Sequence, residues 1–304
     1  MSGAPGHSSG DDRGVTNPLI VLVLLPLLLG ATIYLFSESA DSERYAVDLS
    51  RALPAPPAWN GAEAAAEQVD DLLSEVPASN IFDRNLEPAL RQKLESSPWV
   101  EKVSGVHRVF PGGVSVDLRW RQPYAVLRRR TGAFQLVAAD GELLPLLVER
   151  SPVRPPYIVL RDLEAARPDE TPPVGWLAAA VREGVHVIRD LENRADAEIF
   201  DLLFIQDVDV SNFDGHIDPR RSEIVLGARS TAGLMPPSDA PPPIRILWGR
   251  STHHAKALVE LSVKKKLSHL ESVARARPGF KGVRVIDARF DLHLLPGPDG
   301  DRGR

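Results

Sequence analysis

One stretch constrains this chain more than any other. From Pro18 to Phe36 it reads PLIVLVLLPLLLGATIYLF, nineteen residues without a charge, and at 1.5 Å per residue such a run nearly matches a bilayer core of ~30 Å. Pro26 and Gly30 are tolerated in membrane helices, and Tyr34 and Phe36 stand where an interfacial belt would lie. The expectation is a single transmembrane helix over 18–36, with residues 1–17 as a short tail. A cleaved signal peptide is the competing reading. The run is longer than the usual 7 to 15 residues and only Arg13 precedes it as a cation, which favours a retained anchor. Arg13 on one side and Arg44 and Arg51 on the other leave orientation undetermined by charge.

The rest has the composition of a folded protein: 43% hydrophobic and 25% charged residues over 304 positions, enough for one or two cores. The absence of cysteine excludes disulfides, thiolate catalysis and Cys-ligated zinc. Asn60-Gly61-Ala62-Glu63 reads as a capping box ahead of a stripe at Val69, Leu72, Leu73 and Val76. A second helix starts around Asn85, with Pro88 in its first turn, Leu86, Leu90 and Leu94 on one face and Ser97-Pro98 as its stop. A hairpin follows: Val103 to Phe110, a Pro111-Gly112-Gly113 turn, then Val114, Val116, Leu118 and Trp120 alternating with polar residues. With a possible first strand at Tyr45 to Leu53, this is a compact α+β module.

Beyond it, Asp140-Gly141 marks a hairpin between Phe134–Ala138 and Leu143–Val148. A helix is expected from about Val174 to Arg189, strands at Leu202–Val210, Glu223–Gly227 and Ile244–Trp248, and a helix over Val263–Ala274. The closing strand has Ile286, Ala288, Phe290, Leu292 and Leu294 alternating with Asp287, Arg289, Asp291 and His293. The fold class expected is therefore α+β: one transmembrane helix, an α+β module, then a mainly β domain with flanking helices.

Residues 83–130 hold ten Lys/Arg against five Asp/Glu, whereas 131–218 hold seven against seventeen. Two solvated surfaces of opposite sign explain this blandly; the sharper reading is that Arg119, Arg121 and Arg128 to Arg130 meet an acidic partner or anionic headgroups. A net charge of -5 and no basic patch interleaved with aromatics argue against nucleic acid. His253-His254 lack a third ligand at helical spacing. Asp207, Asp209, Ser211 and Asp218 fall on calcium-loop positions, but Asn212 stands where that loop needs glycine, so a strand ending in a polar turn at Asn212 to Gly215 is expected. No nucleophile elbow, phosphate loop or HExxH is present, and no catalytic, cofactor or metal residue is assigned.

Pro98-Trp99-Val100, Arg108-Val109-Phe110-Pro111, the strand Val114 to Arg121 and Gln122-Pro123-Tyr124-Ala125 together resemble the POTRA module of the bacterial cell-division proteins FtsQ and DivIB. Val137 to Leu144, with Asp140 and Gly141, resembles the hairpin that follows it. Trp248-Gly249-Arg250, Lys266-Leu267-Ser268-His269-Leu270 and Ile286-Asp287-Ala288-Arg289-Phe290 resemble the family's later motifs in the same order. Trp120-Arg121 replaces the usual acidic residue before proline, and the Arg250 to Lys266 spacing is longer than typical, so the likeness is to a divergent member. The resemblance implies a cytoplasmic tail (1–17), an anchor (18–36), a POTRA-like domain (45–130), an FtsQ/DivIB-like β domain (131–295) and a flexible tail (296–304). It further implies an inner-membrane location with the bulk outside the cytoplasm, no enzyme activity, no cofactor, and a scaffold of septal cell-wall proteins. Partners resembling FtsB and FtsL, and the bilayer through 18–36, are what it suggests, with no small-molecule substrate. Asp287, Arg289, Phe290 and Arg250 are the partner-binding candidates it points to. Two other classes compete. A POTRA-bearing transport or outer-membrane assembly factor calls for tandem modules and ten-residue alternating strands, which the sequence lacks; an anchored cell-envelope hydrolase calls for a convergent reactive cluster.

Overall fold

A computed structural model describes residues 18–40, 45–59, 61–77, 80–161, 173–231, 243–254 and 260–290. The expected cap Asn60 and the end of the expected last strand, 291–294, lie outside them. Helix α1 runs Pro18–Ala40, and its described side chains, 22–34, are exposed. Among the described residues no helix is long and apolar enough to cross a membrane. This overturns the expected transmembrane helix over 18–36, and with it the single-pass inner-membrane location.

Two compact units follow from the contacts, one gathering 1–54, 70–94 and 103–118, the other 55–69, 95–102 and 119–304. Helix α2 (Ala62–Ser74) and strand β1 (Val100–Val109) each contribute to both. In the smaller unit, helix α3 (Leu86–Glu95) buries Leu86, Leu90 and Leu94, positions four apart that share one helix face. Strand β2 (Gly113–Trp120) pairs with β1 in a two-stranded sheet, and its Val114 and Val116 are buried while Ser115 and Asp117 are exposed, the period-2 pattern of a sheet with one wet face. The stretch expected as a first strand is reduced to isolated bridges, Ala46 to Asn80 and Asp48 to Gly113, reinforced by Asp48 N–H to the Gly112 carbonyl and Val116 N–H to the Ala52 carbonyl, both 2.9 Å.

The larger unit corrects the fold class. Its eight strands, β3 (Pro123–Arg128), β4 (Phe134–Ala138), β5 (Leu143–Val148), β6 (Tyr157–Val159), β7 (Leu203–Asp209), β8 (Ile224–Ser230), β9 (Ile244–Gly249) and β10 (Val285–Asp287), form one sheet in the order β10-β9-β8-β7-β6-β3-β4-β5. Pairs β3/β6, β6/β7 and β9/β10 are parallel and the other four antiparallel. The molecule is therefore mixed α/β with a large mixed sheet, not an α+β module followed by a mainly β domain. Parallel neighbours need a long connection. Helix α4 (Trp176–Glu192) and a one-turn helix α5 (Ile199–Leu202) make the one between β6 and β7; helix α6 (Val263–Ala276) lies between β9 and β10. The helices read from periodicity as flanking elements are the crossovers.

One hydrophobic core joins α4, α6 and a single face of the sheet: Ile158, Leu226, Ile246 and Ile286 meet Val181, Val185, Ile188, Leu267 and Leu270. Burial of each such side chain contributes roughly 1.5–3 kcal/mol. Gly184 sets the approach of α4, since a Cβ there would come within 3.1 Å of the Ile158 side chain. Strand β3 belongs to this sheet through β4 and β6, so residues 123–128, read by sequence as the end of the first module, are part of the second core.

Two arginines of the basic stretch are answered inside this unit. Arg119 meets Glu101 at 2.8 Å. Arg121 bonds Asp140 at 2.8 Å and the carbonyls of Pro98 and Val100 at 3.1 and 2.7 Å. Burial alone would raise the Asp140 carboxyl, but the Arg121 hydrogen bond, the Glu142 amide and the Arg121 charge hold it below the ordinary value.

Candidate partner-binding edge

The eight-stranded sheet ends in two unlike edges. At one, β5 carries Pro145, which has no N–H to offer and blunts an edge. At the other, β10 pairs with β9 in parallel, Ile286 opposite Ile246. The Arg284 carbonyl accepts from Arg245, and the Ala288 amide donates to Leu247. Alternate residues of a parallel strand bond to alternate sides, so with 284 and 288 turned to β9 the backbone groups of Val285 and Asp287 face outward.

Beyond β10 the chain does not continue as the expected nine-residue strand; residues 289 and 290 bend. The cause is local. Asp287 accepts from the Arg289 amide at 3.1 Å and from its guanidinium at 2.9 and 2.7 Å, an Asx-type turn that competes with an extended ladder. Burial would raise the Asp287 carboxyl, yet the Arg289 bonds and charge, with His269, leave it lowered. The Arg289 guanidinium sits 4.9 Å from the Phe290 ring centroid, within cation–π range. Ile286 and Ala288 are buried whereas Phe290 is 46% exposed. Alternation alone would place Phe290 with the buried set; the bend takes it out.

Asp287, Arg289 and Phe290 thus form one cluster at the β10 edge of the described sheet. Arg250 is not part of it. It follows β9, bonding Glu223 through Nε at 2.8 Å and Nη2 at 2.5 Å, and its amide donates to Glu260 at 2.8 Å. Glu260 in turn receives Lys266, whose ammonium also bonds the Trp248 and Arg250 carbonyls. Gly249, at φ 89°, admits this arrangement: a Cβ there would lie 2.6 Å from the Glu260 carboxyl carbon. Arg250 therefore organises the turn after β9.

The histidine pair has a different setting. His253 stacks on His186 of α4, centroids 4.4 Å apart, beside Thr252 bonded to Asp190. Burial first, then the His253 and Arg189 charges, hold the His186 imidazole below 6.5, while Glu183 and Asp190 oppose them. A base with a lowered folded value is neutral in the native state, so its contribution is complete above 6.5 and is lost as pH falls through the folded value. The melting temperature should drop between about pH 7 and pH 5.5, and His253→Phe, which keeps the stack and removes one charge, should flatten that drop. An unchanged profile in the variant would refute this.

At the calcium-like segment, β7 ends at Asp209 and Asn212 builds the turn, accepting from the Ile217 and Asp218 amides and donating to the Asp218 and Ser222 carbonyls. Among the described residues no group of three or more His, Asp or Glu is placed to hold a metal ion. In comparisons with known proteins, no family model and no curated protein matches the chain.

Proposed function

We propose that the protein is a non-enzymatic scaffold of the FtsQ/DivIB type that links septal cell-wall division proteins, receiving an extended segment of a partner resembling FtsB, with one resembling FtsL beside it, at β10. The observation that carries this reading is the β10 edge, which no other strand among the described residues covers: outward backbone groups at Val285 and Asp287, no proline in β10, and an exposed aromatic held by a cation at its end. Strand addition satisfies such an edge, the backbone bonds giving affinity and the side chains selectivity, each bond contributing about 0.5–1.5 kcal/mol net.

Phe290→Ala removes an exposed ring and should cost under about 1 kcal/mol of stability, while Arg289→Glu breaks the clamp on Asp287 and reverses the charge offered to the partner. Both should stay folded by circular dichroism and recover less of the division proteins on pull-down. Folded variants that recover the same partners as wild type would remove this cluster from the binding site.

A further inference from the structure

Beyond Arg119 and Arg121, the arginines that follow converge on one place. Arg128, Arg129, Arg130 and Arg161, with Val159 and Leu160, line a concavity of about 320 Å³. Among the described residues that line it, four are arginines and none is acidic. Its place in the sheet is informative. Arg128 and Val159 are paired at the carboxyl ends of the adjacent parallel strands β3 and β6, and Val159 is paired in turn with Asp209 at the end of parallel β7. The space beyond the carboxyl ends of parallel strands is where open α/β sheets gather groups from several strands around a ligand.

Two of the guanidiniums are already oriented. Arg161 is held by the buried Asp207, and Arg129 by the side-chain carbonyl of Gln135, so less ordering cost remains to be met on binding. Planar guanidiniums match phosphate oxygens two at a time, and four of them around one small space outnumber the Asp207 carboxylate that Arg161 meets there. The volume is at the low end of the ~300–1,000 Å³ of small-molecule sites, a fit to a compact multivalent anion.

We propose that this concavity binds a phosphate-bearing anion of about diphosphate size, independently of the β10 edge. The test is calorimetric titration of the full chain with inorganic pyrophosphate at near-physiological salt. Saturable one-to-one binding is expected, weakened about tenfold by Arg128→Ala and again by Arg130→Ala, in line with the loss of one charged hydrogen bond each. Both residues are exposed, and circular dichroism should show the variants folded. Lys264→Ala/Lys265→Ala on α6 removes as much charge elsewhere and should leave affinity unchanged. Non-saturable binding, or equal weakening by the lysine pair, would overturn the site. Tighter binding of a hexaglutamate peptide than of pyrophosphate, lost in the same arginine variants, would overturn the phosphate assignment in favour of an acidic protein partner.

Discussion

Glu260→Ala should destabilise the larger unit by about 3–5 kcal/mol, because it strands a buried ammonium. Lys266 is 2% exposed; its Nζ bonds the Trp248 carbonyl at 2.6 Å, the Arg250 carbonyl at 3.2 Å and Glu260 at 2.9 Å. Two carbonyls solvate the charge but do not neutralise it. Burial already pulls the Lys266 ammonium below its ordinary value, and Glu260 is the main group opposing that. The same carboxylate accepts the Arg250 amide, so its loss also loosens the turn after β9. Lys266→Met removes the charge, including its contact 5.1 Å from the Trp248 ring centroid, but leaves no unpaired ion, and its cost should be much smaller, since an apolar replacement of similar volume often comes near neutral. Denaturant melts of the two variants compare them directly. Equal costs would mean that the lysine contributes packing rather than a charge in need of a partner.

Leu90→Ala should cost about 2–5 kcal/mol in the smaller unit. Leu90 and Leu94 are fully buried and Leu86 nearly so, and Val103, Val106, Val114 and Val116 supply a buried sheet face in the same unit. A small unit has few such side chains, so one cavity removes a large share of its core. A melting profile unchanged by the substitution would show that this face of α3 is not what holds the unit.

The elements whose signal is local were legible. Leu86, Leu90 and Leu94 every fourth residue gave α3, Asp140-Gly141 gave the turn between β4 and β5, and alternation gave β2. Pairing was not legible. Nothing in Tyr157–Val159, three residues between prolines and a polar segment, announces a strand, yet β6 joins β3 to β7 and makes that part of the sheet parallel. Without it α4 looks like decoration on an antiparallel domain. The last strand was over-read for a similar reason: Asp287 and Arg289 keep the polar half of an alternating pattern while bonding each other in a bend. Nor does the Arg250 motif, standing alone in sequence, announce Glu223, 27 residues away, to which its guanidinium bonds. The apolar run at 18–36 set an expectation that the described helix does not meet.

Strand addition by a partner needs the outer edge of β10, and Val285→Pro tests it most directly. The Val285 amide faces away from β9 and its side chain is 56% exposed, so proline there removes one outward donor while keeping the bonds of 284 and 288 to β9. Leu147→Lys on the exposed side of β5 is the matched change at the other edge. Co-purification with the proposed partners, those resembling FtsB and FtsL, read beside circular dichroism and melting temperature, should be lost in Val285→Pro and kept in Leu147→Lys, both folded as wild type. A folded Val285→Pro protein that recovers those partners undiminished would contradict strand addition at β10.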